Sequence, residues 1–379
     1  MDIKKINKEI ESIDDELLCL FEKRMELVKK AGQYKKKQLL PIRDKEQERK
    51  TLYSLCQKTH PDLSEYVRSL FLDVFEMGSG YQSTLYNNDS VVKRLIENAI
   101  QNTREDFPSR ATVACQGIEG AYSQAACDKM FSPADITYFN NFEGVFGAVD
   151  NGLCKYGILP LENSNAGSVN EVYDLMSLYR FYIVRSVKLP ITHTLLAAHD
   201  VKLSEIKEVF SHEQAIRQCS QFLKSLNGIK ITECENTATA AKQAADSGRK
   251  DVAVISSLDC AELYGLSVLS YNIRNTDNNY TRFICISKEP EIYPGSRKTS
   301  LMLTLSHKPG ALYNILAKFN AHGINLNKLE SRPISGQDFE FMFYFDIDTP
   351  VISENLKQIL AGIEQETDMF SYLGTYQEL

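Results

Sequence analysis

IKKINKEIESIDDELLCLFEKRMELVKKAGQYKKK, residues 3–37, sets the pattern from which the rest of the chain can be read. Ile3, Ile6, Ile10, Ile13, Leu17, Leu20, Arg24, Leu27, Ala31 and Tyr34 succeed one another at alternating steps of three and four. Such steps return each side chain to one stripe of an α-helix. At about 1.5 Å per residue this helix reaches about 52 Å, longer than a globule of 88 residues is wide. It cannot bury its stripe within its own segment, so the pattern predicts a second chain as its partner. Pro41 ends the helix, a second helix starts near Asp44, and a third runs from about Leu63 to Leu85.

Arg24 interrupts the apolar stripe. One reading is a snorkelling or ion-paired arginine; the other is a cation turned into an anion-binding cavity. Lys35 follows 11 residues later, close to three full turns, and so shares its face. Asp44 and Glu48 stand one turn apart on the second helix. Gln82 on the third adds an amide to an apolar face. Two cations, a carboxylate and an amide on converging helices suit a small polyanion that also carries hydroxyl and ether oxygens.

Composition narrows the choices. The 379 residues allow two or three domains. A formal charge of −7 gives no general basic character for nucleic acid or anionic membrane. Residues 1–50 carry a net +3 and the remainder −10, which points to the start of the chain for a cationic pocket. There is no signal-peptide pattern at the start and no long apolar run, so no membrane role is expected. The nine cysteines form no CxxC pair and the six histidines no HExxH spacing. Buried thiols in a reducing cytoplasm, with no metal and no cofactor, are the expectation.

Pattern divides the chain into segments 1–88, 110–290 and 299–379, joined by NTREDFPSR (102–110) and KEPEIYPGSRK (288–298). The middle segment alternates apolar strands with helices, an α/β arrangement with ligands at strand ends. In it KYGILPL runs into ENSNAGS, bringing Glu162 and Asn163 to a strand–helix junction. SHEQAIRQC sets Ser211 and Gln218 two helical turns apart, and DNNYTRFICIS crowds Thr281 and Arg282 at the mouth of a strand. Taken singly, each also reads as an ordinary cap, turn or strand start. The last segment reads βαββαβ, a ferredoxin-like order.

The first segment resembles the all-helical chorismate mutase domain, through IDDELLCLFEKRMELVKKAGQYKK, PIRDKEQE and the helix ending in Gln82. The resemblance implies an intertwined three-helix dimer. Arg24 would hold a carboxylate of chorismate, Lys35 and Gln82 its ether oxygen, and Glu48 with Asp44 its ring hydroxyl. Asn7 and Gln47 stand where that family commonly has arginine. The middle segment resembles prephenate dehydratase, through GIEGAYSQAA, PLEN, SHEQAIRQC, TATAA (Thr237–Ala241) and NYTRF in that order. That family folds as two α/β lobes around a cleft, like a periplasmic binding protein. The resemblance makes Thr281 the donor at the departing hydroxyl; Asn163, Ser211 and Gln218 bind or orient prephenate, Glu162 shapes the site and Arg282 helps fix a carboxylate.

The tail resembles an ACT regulatory domain. Gly310, Ala311 and Leu312, with Glu330, Ser331, Arg332 and Pro333, match its two phenylalanine-binding signatures, although Tyr313 replaces the usual valine. Asn325 is expected to reach the same ligand. The resemblance thus implies a cytoplasmic homodimer or larger assembly that takes chorismate to prephenate and then to phenylpyruvate, under feedback from L-phenylalanine. Two alternatives are a dehydratase whose helices serve dimerisation, and a non-catalytic solute sensor.

Overall fold

Ile3–Lys37 forms one helix, α1, as the spacing predicts. Asp2 caps it by accepting the Lys4 N–H, and Lys35, Lys36 and Lys37 sit in its last turn, where cations offset the carbonyl end of the helix dipole. Its apolar stripe is open: Ile13 is 56%, Leu17 55%, Leu20 61% and Leu27 65% exposed. Phe21, Arg24, Met25, Val28 and Gly32 are less exposed. They belong to the face that meets α3 (Ser64–Thr84), beyond α2 (Lys45–Lys58). Arg24 therefore sits at the edge of the expected stripe and turns to a helix of its own chain. A fourth helix, α4, covers Val91–Asn102. The structure is a computed structural model that describes residues 2–38, 40–84, 90–226, 228–276, 278–334, 341–348 and 353–379; the expected ends at Leu85 and residue 88 lie outside these.

The α/β segment follows in chain order as β1 (Thr112–Gln116), α5 (Tyr122–Met130), β2 (Asp135–Phe139), α6 (Phe142–Asp150), β3 (Tyr156–Asn163), β4 (Gly167–Ser168), α7 (Asn170–Tyr179) and β5 (Tyr182–Pro190). Next come β6 (Thr194–Ala197), β7 (Glu208–Ser211), α8 (Glu213–Gln218), α9 (Ser220–Ser225), β8 (Lys230–Glu233), α10 (Thr237–Ser247), β9 (Val252–Ser256), α11 (Asp259–Leu263), β10 (Ser267–Ser270) and β11 (Tyr280–Ser287). These make two lobes. In the first the strand order is β2-β1-β3-β11-β5, with β1 parallel to both neighbours and β11 antiparallel to β3 and β5. In the second it is β10-β6-β9-β7-β8. The chain passes between lobes twice, after β5 and before β11. Each lobe has its own apolar core, one around Val113, Tyr156 and Phe283, the other around Leu196, Ala241 and Val254.

The C-terminal segment comprises β12 (Lys298–Thr304), α12 (Ala311–Ala321), β13 (Asn325–Pro333), β14 (Phe341–Asp348), α13 (Glu354–Glu366) and β15 (Met369–Glu378), in strand order β13-β14-β12-β15. Contacts gather the chain into two compact units, residues 1–97 with 303–370, and 98–302 with 371–379. In the first, Tyr313 of α12 donates to Asp73 of α3 at 2.8 Å, and Lys357 of α13 meets Glu97 of α4 at 3.1 Å. In the second, the last residues of β15 lie parallel to β5, Gln377 opposite Arg185. Gly374 makes that approach possible: its φ is +134°, and a Cβ there would fall 2.2 Å from the carbonyl oxygen of Ile183. All nine cysteines are free thiols, and no helix among the described residues is long and apolar enough to cross a membrane.

Candidate active sites

In the helical segment, α1 and α3 bring Arg24 and Gln82 close together. The Arg24 guanidinium donates to the Val74 carbonyl at 3.2 Å and lies over the Phe75 ring, 5.7 Å from its centre. Gly78 leaves room for it: a Cβ there would be 3.3 Å from Arg24 Nη1 and 3.6 Å from Val28. One turn on, buried Gln82 donates to the Val28 carbonyl at 3.1 Å. Lys35 donates to the Ile42 carbonyl at 2.6 Å. Asp44 serves as the N-cap of α2, its side chain accepting the Gln47 N–H at 3.0 Å. That is a local structural task, different from the ligand contact expected of it.

Glu48 is held by the arginine of the same PIRDKEQE stretch. Arg43 grips it through Nε at 3.3 Å and Nη2 at 2.9 Å, and through Nη1 reaches Glu76 at 2.7 Å. Two-point contact fixes the carboxylate plane as well as its position. Glu76 is itself 3.8 Å from Lys318 of α12. Burial holds the Glu76 carboxyl above its ordinary value, against the pull of Arg43 and Lys318. Burial acts to lower Arg43, but Glu48 and Glu76 outweigh it and hold the guanidinium above its ordinary value.

The α/β unit holds a cavity of about 470 Å³ between its two lobes. It opens beyond the carboxyl ends of β1 and β7, where ligands of open α/β sheets are expected. Asn163, Gln218 and Thr281 line it, as the motifs predict. So do the first residues of α5 and α10, Tyr122 and Thr237, so two helix N-termini add positive potential. Twelve of the 19 lining residues fall within the quoted motifs, Tyr122 and His212 among them without having been singled out; His193, Glu235 and Asn236 line it from outside those motifs. His212 stands next to Ser211 in SHEQ, and Asn236 just before TATAA, so motif adjacency was the available signal. His193, in an apolar run, offered none.

A β-bulge aims the polar wall. Between β11 and β3 the register runs Thr281 to Asn163 and Arg282 to Glu162, then jumps from Phe283 to Pro160. The extra residue on β3 turns Asn163 to the same side as Pro160, which strict alternation would forbid. Backbone N–H groups of Asn165 and Ala166 donate to Asn163 Oδ1 at 3.0 and 2.9 Å. Its Nδ2 is thereby the donor, reaching Thr281 Oγ1 at 2.9 Å and Asn279 Oδ1 at 2.8 Å. Asn279 Nδ2 donates onward to Gln218 Oε1 at 2.9 Å. With its oxygen accepting from Asn163, the Thr281 hydroxyl keeps its own proton to donate.

Three expected members fall outside the cavity lining. Arg282 follows Thr281 by one strand position and leaves from the opposite face, where it pairs with Glu162 at 3.2 Å. Ser211 is fully buried and donates to the Ile255 carbonyl at 2.8 Å, tying β7 to β9. In the C-terminal segment Gly310 takes a left-handed φ of +86° as the N-cap of α12, ahead of Ala311 and Leu312. On β13, Asn325, Ser331 and Pro333 alternate with Glu330 and Arg332, so the second signature presents to both faces of the strand. Asn325 donates to Asn327 at 2.9 Å and Glu330 pairs with Lys328 at 3.2 Å.

The chain is similar to known proteins in sequence and in fold. The family model for prephenate dehydratase matches residues 113–291, and that for chorismate mutase type II residues 6–83. The bifunctional chorismate mutase/prephenate dehydratase of Enterobacter agglomerans is 33% identical over 383 residues, covering 98% of this chain and 95% of that protein. Arogenate dehydratase/prephenate dehydratase 1 of Arabidopsis thaliana is 36% identical over 313 residues, with 78% of this chain and 79% of that protein covered. Among solved structures, the prephenate dehydratase of Arthrobacter aurescens in complex with L-Phe superposes with a TM-score of 0.64 at 28% identity, over 70% of this chain and 90% of that one.

Proposed function

The chain belongs to the bifunctional chorismate mutase/prephenate dehydratases, and from that premise we propose which of its side chains carry the two reactions and how the tail controls them. It rearranges chorismate to prephenate, then converts prephenate to phenylpyruvate with loss of carbon dioxide and water. Residues 1–88, 110–290 and 299–379 are the proposed mutase, dehydratase and regulatory segments.

The rearrangement needs no nucleophile and no acid. Binding must hold the side chain over the ring and offer positive charge where the ether oxygen gains electron density. Arg24 takes a carboxylate, Lys35 and Gln82 the ether oxygen, and Glu48 the ring hydroxyl. Substrate exchanges for the backbone carbonyls that Arg24, Lys35 and Gln82 now hold. Arg43 supports the assignment, because its two-point grip on Glu48 fixes the position and plane of that carboxylate. The open stripe of α1 takes the same stripe of a second copy, giving a homodimer. Nine free thiols and the absence of any spanning helix among described residues fit the reducing cytoplasm as its place.

In the dehydratase cavity, the prephenate ring carboxylate leaves as carbon dioxide and its electron pair enters the ring. The ring expels hydroxide from the opposite carbon and becomes aromatic. Thr281 donates its hydroxyl hydrogen bond to that departing oxygen. The hydroxide then takes a proton from solvent as water. Gln218 and the two helix N-termini hold the remaining negative charge. The observation that carries this reading is the 2.9 Å bond from Asn163 to Thr281, with Asn163 itself oriented by backbone amides.

The strand order β13-β14-β12-β15 supports a ferredoxin-like ACT module. L-phenylalanine, which the Arthrobacter aurescens relative binds, takes its place beside Gly310, with its carboxylate at the N-terminus of α12. Glu330 to Pro333 and Asn325 complete the site. Its occupancy lowers dehydratase turnover.

The test is Thr281→Val assayed with chorismate and prephenate supplied separately. We expect dehydratase kcat to fall by about 10²–10³, the range for one lost donor at a developing oxyanion, with prephenate still bound and chorismate turnover intact. Full dehydratase activity in this variant would refute the assignment.

A further inference from the structure

We infer that His193 is a positioning residue of the dehydratase site: its imidazole N–H orients Gln218 toward the substrate. This inference rests on the reading of Gln218 as a substrate-binding residue. His193 lies in the passage between β5 and β6, is 2% exposed, and lines the cavity. Its Nε2 is 2.8 Å from Gln218 Oε1, the oxygen that already accepts from Asn279 Nδ2 at 2.9 Å. An amide oxygen only accepts, so His193 must carry a proton on Nε2.

The direction of every bond in this chain is dictated from its far end. Backbone N–H groups of Asn165 and Ala166 fix the Asn163 amide, Asn163 fixes Asn279, and Asn279 with His193 fixes Gln218. With its oxygen occupied twice, Gln218, which lines the cavity, has its two N–H donors left for a dianionic substrate. The other ring nitrogen of His193, Nδ1, is buried with no hydrogen-bond partner. Leaving a buried acceptor unpaired is a cost, which an apolar side chain of similar size would avoid. Burial, with Arg274 close by, also holds the imidazole below its ordinary value despite the Gln218 bond, so the ring stays neutral. The structure thus keeps a histidine here for one N–H.

The experiment compares His193→Leu, His193→Gln, Gln218→Met and the double variant His193→Leu/Gln218→Met in the full chain, with prephenate as substrate. Substrate held alike in ground and transition states is lost as KM, so His193→Leu should raise KM about tenfold with kcat within about twofold. His193→Gln, whose amide N–H can occupy the place of Nε2, should restore KM to within about threefold of the parent. In the Gln218→Met background, His193→Leu should add less than about twofold, since coupled residues are not additive. Chorismate turnover on the same preparations reports folding. If His193→Leu loses that too, His193→Asn takes its place: its shorter amide falls short of Gln218 and should show the same KM rise. His193→Gln as impaired as His193→Leu, or effects that simply multiply, would overturn the inference. An unchanged KM in Gln218→Met would instead remove the substrate-binding role of Gln218.

Discussion

A threonine is an indifferent acid, and what distinguishes Thr281 is which of its two hydrogen-bonding roles is already taken. Asn163 fills the acceptor role, so the donor role is left for substrate. Asn163→Asp should therefore be damaging although it is nearly isosteric. A carboxylate would accept from Thr281 and turn its proton away from the cavity, with an expected fall in kcat of about 10². Acidification protonates the aspartate and returns a donor, so the variant's rate relative to the parent should rise as pH falls; a pH profile of phenylpyruvate formation checks this. Among the residues named from sequence, Thr281, Asn163 and Gln218 line the cavity, since their motifs put them at strand or helix ends. Arg282, Glu162 and Ser211 do not. Sequence proximity to a reactive residue on a strand points to the opposite face, and the bulge that rescues Asn163 depends on a neighbouring strand.

The elements were legible to different degrees. α1 begins and ends where its spacing and its cap require, because a helix is written in local intervals. The pairing of β15 with β5 was not, because it joins residues nearly 200 positions apart. Gly374 marks that pairing. Gly374→Ala would press a methyl group against the backbone of Ile183, which has no flexible end to yield. We expect a loss of about 3 kcal/mol or more, within the upper range for overpacking and strain. Urea unfolding of the full chain, with limited proteolysis of its last ten residues, measures it.

At the scale of the molecule, the reading of three consecutive segments meets a structure with two compact units, the first drawing on residues 1–97 and 303–370. Contacts such as Tyr313 with Asp73 and Lys318 with Glu76 involve side chains whose partners lie over 200 residues away, beyond any local pattern. The proposed dimer is tested on the open stripe of α1. Leu17→Lys with Leu20→Glu removes two side chains that would each contribute about 1.5–3 kcal/mol on burial. Sedimentation should show the species halved in mass, with chorismate turnover lost and prephenate turnover retained. A unit assembled from distant stretches also sets a timetable for synthesis. After Glu97 leaves the ribosome, roughly 200 residues must be made before Leu303 follows, a delay of roughly 10–40 s at about 5–20 residues per second. Through that interval the nascent helices wait with apolar surface uncovered, which makes them natural clients for chaperones.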